Sequence, residues 1–113
     1  MMMEETKMGT VLCVKPQGPR IDASVASDFK GRMVDWINQG NHHIVLDLAD
    51  VDFIDSSGLG AIVSSLKAIG SDGDLVICNI RETVMSLFQL TRMHRVFQIF
   101  QSRQEALKAF SVS

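Results

Sequence analysis

The apolar residues fall into short runs broken by turn-forming residues, and their spacing alternates between continuous blocks and helical repeats. Val11-Leu12-Cys13-Val14 is continuous, so Met8 to Lys15 predicts a strand, with a short, frayed strand added by the residues before it. Pro16-Gln17-Gly18-Pro19 predicts a turn, because two prolines and a glycine oppose continued pairing. Asp22 is a good N-cap, and Ala26, Phe29, Met33, Trp36 and Ile37 recur at helical spacing, which predicts an amphipathic helix over 23–38 ending at Gly40-Asn41. His43 to Leu48 is the clearest strand. Val51 to Asp55 continues in extended or looped form.

Ser56-Ser57-Gly58 precedes a second helix, whose buried stripe is Leu59, Ile62, Val63, Leu66 and Ile69 and whose natural C′ residue is Gly70. A turn over 71–74 leads to a short strand, Leu75 to Cys78. A third helix is expected from about Arg81 to Leu90, with Val84, Leu87 and Phe88 inward, and a final strand over Val96 to Ile99. Ser102-Arg103-Gln104-Glu105 matches a capping box and predicts a last helix over about 103–110. The order is β-β-α-β-α-β-α-β-α. Strands alternating with helices imply an α/β fold, a mixed sheet of about five strands covered by about four helices.

Composition narrows the function classes. The chain has 113 residues, enough for one core, and we expect a single domain over 1–113. It is 46% hydrophobic and 21% charged, as a folded globular chain should be. A net charge of −2 and a pI near 5.8 argue against a nucleic-acid partner. Arg92, His94 and Arg95 form a small basic cluster that reads as solvated surface. Cys13 and Cys78 lie in apolar runs and read as reduced core thiols. The N-terminus lacks a signal-peptide pattern, and no apolar stretch approaches a membrane span, so a cytoplasmic protein without stable membrane insertion is expected.

The segment Asp55-Ser56-Ser57-Gly58 carries the chemistry. By capping logic alone it is an ordinary helix start. A helix N-terminus also carries free N–H groups and partial positive charge, so it tolerates an attached anion. A phosphate on Ser56 or Ser57 would leave the helix folded while adding negative charge beside Asp52 and Asp55. Gly58 and Gly60 keep the approach open for a partner.

Phe53-Ile54-Asp55-Ser56-Ser57-Gly58-Leu59-Gly60, following Val45-Leu46-Asp47-Leu48, resembles the signature of STAS-domain anti-sigma factor antagonists. Ile21-Asp22-Ala23 resembles the family segment that opens the first helix, and the likeness spans nearly the whole chain. The resemblance implies phosphorylation of the second serine, Ser57, with Ser56 the second choice, by an anti-sigma factor that is also a serine kinase. It implies that the unphosphorylated form binds this anti-sigma factor and frees sigma factor, and that a PP2C-type phosphatase reverses the mark. The docking edge would be Asp55, Ser56, Ser57, Gly58, Leu59 and Gly60, with Asp22 near it. Pro16 to Arg20 is more proline-rich than the usual family loop, which bears on partner specificity.

Three rival readings are weaker. A phospho-aspartate receiver using Asp47 would need an acidic pair after the first strand, where Pro16-Gln17-Gly18-Pro19 stands. A serine hydrolase elbow needs glycine two residues before Ser57, where Asp55 stands, and adjacent His42 and His43 point to opposite faces of a strand. No catalysis, metal or cofactor is expected. The alternative that keeps the fold is a non-switching STAS subunit of a transporter or stress-sensing complex.

Overall fold

The computed structural model describes residues 1–110. Strand β1 (Met2–Met8) turns at Gly9-Thr10 into antiparallel β2 (Val11–Gln17), with Met8 opposite Val11 and Met2 opposite Gln17. Gly9 has φ +63°, which a two-residue hairpin turn requires. The strand expected over Met8 to Lys15 is therefore corrected at both ends. The residues before it form a full seven-residue strand, and β2 runs on through Pro16 into the expected turn. Within β1 only Met3 is buried, so pairing rather than an apolar pattern orders the strand.

Strand β3 (Arg20–Ile21) leads to a turn in which the Asp22 carbonyl accepts the N–H groups of Val25 and Ala26 at 3.0 and 2.9 Å. Helix α1 (Ala26–Asn38) starts only after that turn, so Asp22 caps the turn and the expected start at 23 moves to 26. Its buried stripe is Phe29, Met33, Trp36 and Ile37, as its spacing predicts. Strand β4 (His43–Asp47) follows, then β5 (Phe53–Ile54), which pairs in parallel with β3. Helix α2 (Ser56–Ile69) takes Ser56, Ser57 and Gly58 into its first turn, where the sequence reading put them ahead of the helix.

Strand β6 (Asp74–Cys78) and helix α3 (Glu82–Leu90) come next. The expected strand Val96 to Ile99 is corrected: residues 93–95 form a 3₁₀ turn, Val96 is exposed, and only β7 (Ile99–Phe100) pairs with β6. Phe97 drops into the core edge-on to Phe88, with ring centres 5.9 Å apart, so the chain is still turning there. Helix α4 (Arg103–Ala109) is the last described element. Ser102 Oγ accepts the Glu105 N–H at 3.1 Å, and Glu105 answers the Gln101 N–H rather than that of Ser102.

The main sheet has the order β1-β2-β4-β6-β7, antiparallel at β1 and parallel elsewhere. This is the α/β architecture expected, a five-stranded mixed sheet with four helices. Alternation along the strands divides the core. Leu12, Val14, Ile44, Leu46, Leu75 and Ile77 face α1, α2 and α3, while Val11, Cys13, Val45, Val76 and Cys78 face α4. Pro16 is tolerated because β4 pairs only with Leu12 to Val14 of β2, leaving no ladder bond for the missing N–H.

Asp47 fastens α4. Its Oδ2 takes Arg103 Nη2 and Nε at 3.1 and 3.2 Å, and its Oδ1 takes Asn79 Nδ2 and the Ala49 N–H, each at 3.1 Å. Cys13 and Cys78 are buried free thiols on this face, and burial pushes the Cys78 thiol up to about 12.

Candidate functional site

Asp55 organises the turn between β5 and α2. It is the N-cap of α2, its Oδ1 accepting the Gly58 N–H at 2.9 Å and its carbonyl the Leu59 N–H at 2.9 Å. Its Oδ2 accepts the Ala23 N–H at 3.1 Å, so one carboxylate ties the start of α2 to the turn before α1. The Asp55 N–H also reaches the Ile21 carbonyl at 3.4 Å.

Ser56 and Ser57 occupy the first two positions of α2, and both side chains are exposed. First-turn N–H groups have no partner within a helix, and the dipole places partial positive charge there. Asp55 takes the Gly58 donor. Ser56 lines a groove of about 450 Å³ between α2 and α3, with Leu59, Val63, Lys67, Leu87 and Met93 among its walls. Ser57 is not part of that lining.

The two glycines differ. A Cβ on Gly58 would stand 2.0 Å from the Ile21 carbonyl oxygen, so the close approach of two backbones demands glycine. Gly60 is exposed and meets nothing within 4 Å. Of the expected docking residues, Ser56, Ser57 and Gly60 are exposed, Asp22 and Asp55 are half-buried, and Gly58 and Leu59 are buried. Asp22 sits beside the site: the Ser24 hydroxyl and N–H both bond its Oδ1, and Arg20 Nε lies 3.3 Å from its Oδ2. The Ser24 hydroxyl, with Arg20 assisting, holds its carboxyl below the usual range.

Sequence reasoning missed the buttress behind this turn. The Pro19 carbonyl accepts the N–H groups of Asp52 and Phe53 at 2.8 and 3.1 Å, and the Arg20 guanidinium lies 4.2 Å from the centre of the exposed Phe53 ring. Thr83 Oγ1 donates to the Asp52 carbonyl at 2.9 Å, bringing in α3. Only the Arg20–Phe53 pair left a chemical hint in the sequence, a cation and an aromatic ring flanking the motif segments. His43 stacks on Phe110 at 4.9 Å, and His94 Nδ1 lies 3.4 Å from the Phe88 carbonyl, so neither imidazole is aimed at Ser57. Among the described residues no cluster of three or more His, Cys, Asp or Glu side chains is placed to hold a metal, and no helix is long and apolar enough to cross a membrane.

The sequence profile of the STAS domain matches residues 2–106. The chain belongs to the STAS domain family. A crystal structure of a Thermotoga maritima protein, described as an anti-sigma factor antagonist, superposes on this STAS domain with a TM-score of 0.89 at 30% identity, covering 95% of this chain and 92% of that one. An anti-sigma-B factor antagonist of Staphylococcus epidermidis is 29% identical over 83 residues, 73% of this chain and 77% of its own length. The anti-sigma factor antagonist SpoIIAA shares the fold, with TM-scores of 0.83 for its unphosphorylated form at 17% identity and 0.74 for its phosphorylated form at 16%. These cover 97% and 96% of this STAS domain, and 96% and 99% of the SpoIIAA chains. The family resemblance read from Phe53 to Gly60 is thus borne out.

Proposed function

We propose that this STAS domain is an anti-sigma factor antagonist that works by partner switching in the cytoplasm. Its unphosphorylated form binds an anti-sigma factor serine kinase and displaces sigma factor. The kinase transfers a phosphoryl group to the Ser57 hydroxyl, the complex dissociates, and a PP2C-type phosphatase resets the module.

The observation that carries this reading is the placement of Ser57: an exposed hydroxyl at the second position of α2, on a turn that Asp55 clamps from both sides. A phosphoserine there adds about −1.5 to −2 charges at neutral pH and is stabilised by the helix N-terminus. The fold stays intact while the docking surface gains negative charge. A partner surface shaped for a neutral hydroxyl then meets repulsion and unpaid desolvation. Ser56, Ser57 and Gly60 form the contact surface, Asp22 and Asp55 shape its rim, and buried Gly58 and Leu59 hold its geometry.

The test is peptide mass spectrometry of the protein from its own cells, with and without phosphatase, joined to calorimetric binding of Ser57 variants to the anti-sigma factor. Ser57→Ala should bind constitutively. Ser57→Asp should fold as well and bind at least about tenfold more weakly, the cost of one uncompensated charge in an interface. Equal affinity for the two variants removes the switch. Phosphate lost in Ser56→Ala but kept in Ser57→Ala moves the acceptor to Ser56.

A further inference from the structure

Strand β1 is the outer strand of the main sheet. Its hairpin register determines which backbone groups face outward. Met8 and Val11 close a two-residue turn, so they exchange both backbone bonds, as do the alternate pairs Thr6–Cys13, Glu4–Lys15 and Met2–Gln17. The N–H and C=O groups of Met3, Glu5 and Lys7 therefore point away from β2, toward the open edge. Pro16 fits this register, because it opposes Met3 in a pair that exchanges no bonds.

The edge is seven residues long, and every residue on it except Met3 is exposed. Charges on an edge strand ordinarily repel a foreign strand. Here their order makes the edge complementary to itself. Two copies related by a two-fold axis pair antiparallel, and side chains that face each other must share a face of the joined sheet. The register is then centred on one residue. Centring on Glu5 sets the two Glu5 carboxylates against each other, and centring on Lys7 does the same to the ammonium groups. Centring on Thr6 places each Glu5 opposite the Lys7 of the other copy and Thr6 opposite Thr6.

We propose that this protein self-associates through β1, two copies joining edge to edge in the register centred on Thr6. Glu5 and Lys7 form two cross-strand ion pairs, and their outward N–H and C=O groups form the bonds of the joint. The two sheets become one of ten strands. Lys7 already donates to Asn41 Oδ1, and an ammonium has three donors, so the second bond is open to it. Exposed Met8 lies against the stem of Glu4 from the other copy.

Sedimentation velocity of the intact chain from about 1 µM to about 1 mM reads the association, a span over which weak and moderate dimers titrate. The native chain should dimerise within it. Lys7→Glu and Glu5→Lys should each raise the dissociation constant about tenfold or more, since each converts two attractive cross-strand pairs into repulsive ones. The double variant Glu5→Lys/Lys7→Glu should restore it to within a few-fold. Amide exchange at Glu5 and Lys7 should slow as concentration rises. All variants lie at an exposed edge, and circular dichroism establishes that each is folded. A monomer across the whole range overturns the proposal, and so does a dimer indifferent to either charge reversal or not rescued by the swap. A partner protein as the natural occupant of the edge would give the first of these results.

Discussion

Gly58→Ala tests the close approach of β3 and α2 most directly. The added Cβ would lie 2.0 Å from the Ile21 carbonyl oxygen, where ordinary contact begins at 3.4 Å, so β3 and α2 must part by more than an ångström. Neither side yields cheaply. Ile21 is fully buried, its carbonyl meets the Asp55 N–H, and Ile54 Cγ2 closes the other side at 3.0 Å. Overpacking of this kind costs about 1–3 kcal/mol, and more where backbone opposes it. Parting the elements also strains the Asp55 bond to Ala23 and the cap on α2, worth about 1 kcal/mol. Alanine returns about 1 kcal/mol in helix propensity, which offsets the cap and leaves a net loss of about 1–3 kcal/mol. Urea titration followed by circular dichroism should show that loss, with a melting temperature lower by roughly 5–15 °C. Gly60→Ala is the internal control: it enters open space on the same helix and should gain about 0.5–1 kcal/mol. If Gly58→Ala proves as stable as the native chain, or Gly60→Ala loses as much, the close approach of β3 and α2 does not govern this turn.

Two further outcomes follow from the α4 face. Arg103→Met should cost about 2–4 kcal/mol in urea titration, discounted from the about 3–5 kcal/mol of a broken buried pair because Arg103 is partly exposed and Asp47 keeps its bonds to Asn79 and Ala49. Full stability in that variant would mean the ion pair does not hold α4. The Cys78 thiol, at about 12 in the fold, gives an alkaline signature. An unfolded thiol titrates near 8.5, so its share of stability is whole below about pH 8.5 and falls toward pH 12 by up to about 1.4 kcal/mol per unit. Cys78→Ala should show a shallower alkaline decline in denaturation midpoints measured against pH, and an unchanged slope would refute the assignment.

The helices were legible because their apolar stripes repeat with the helical period: Phe29, Met33, Trp36 and Ile37 on α1, and Leu59, Ile62 and Ile69 on α2, are buried. Strand β1 left no such pattern, since six of its seven residues are exposed and backbone pairing orders it. The last strand is displaced because Val96-Phe97 has strand-like composition but follows the 3₁₀ turn at 93–95, and the chain is still bending there as Phe97 enters the core. At the site, Asp55 could be read as a cap from its place before the helix. Its second bond, to Ala23 thirty-two positions away, could not, because no local spacing encodes it. The same holds for Gly58, whose need for a bare Cα arises from the distant Ile21 carbonyl.

The arrangement of the second sheet face has a consequence for biosynthesis. Chains emerge from the ribosome N-terminus first, at about 5–20 residues per second, and α4 is the last of the described elements to appear. Until it does, the nascent sheet shows water the apolar row of Val11, Cys13, Val45, Val76 and Cys78, and Asp47 lacks its partner Arg103. That interval is when oxidants can reach both thiols and when a chaperone finds an adhesive surface. Arrival of one arginine ends it, neutralising the carboxylate and drawing the closing helix over the row.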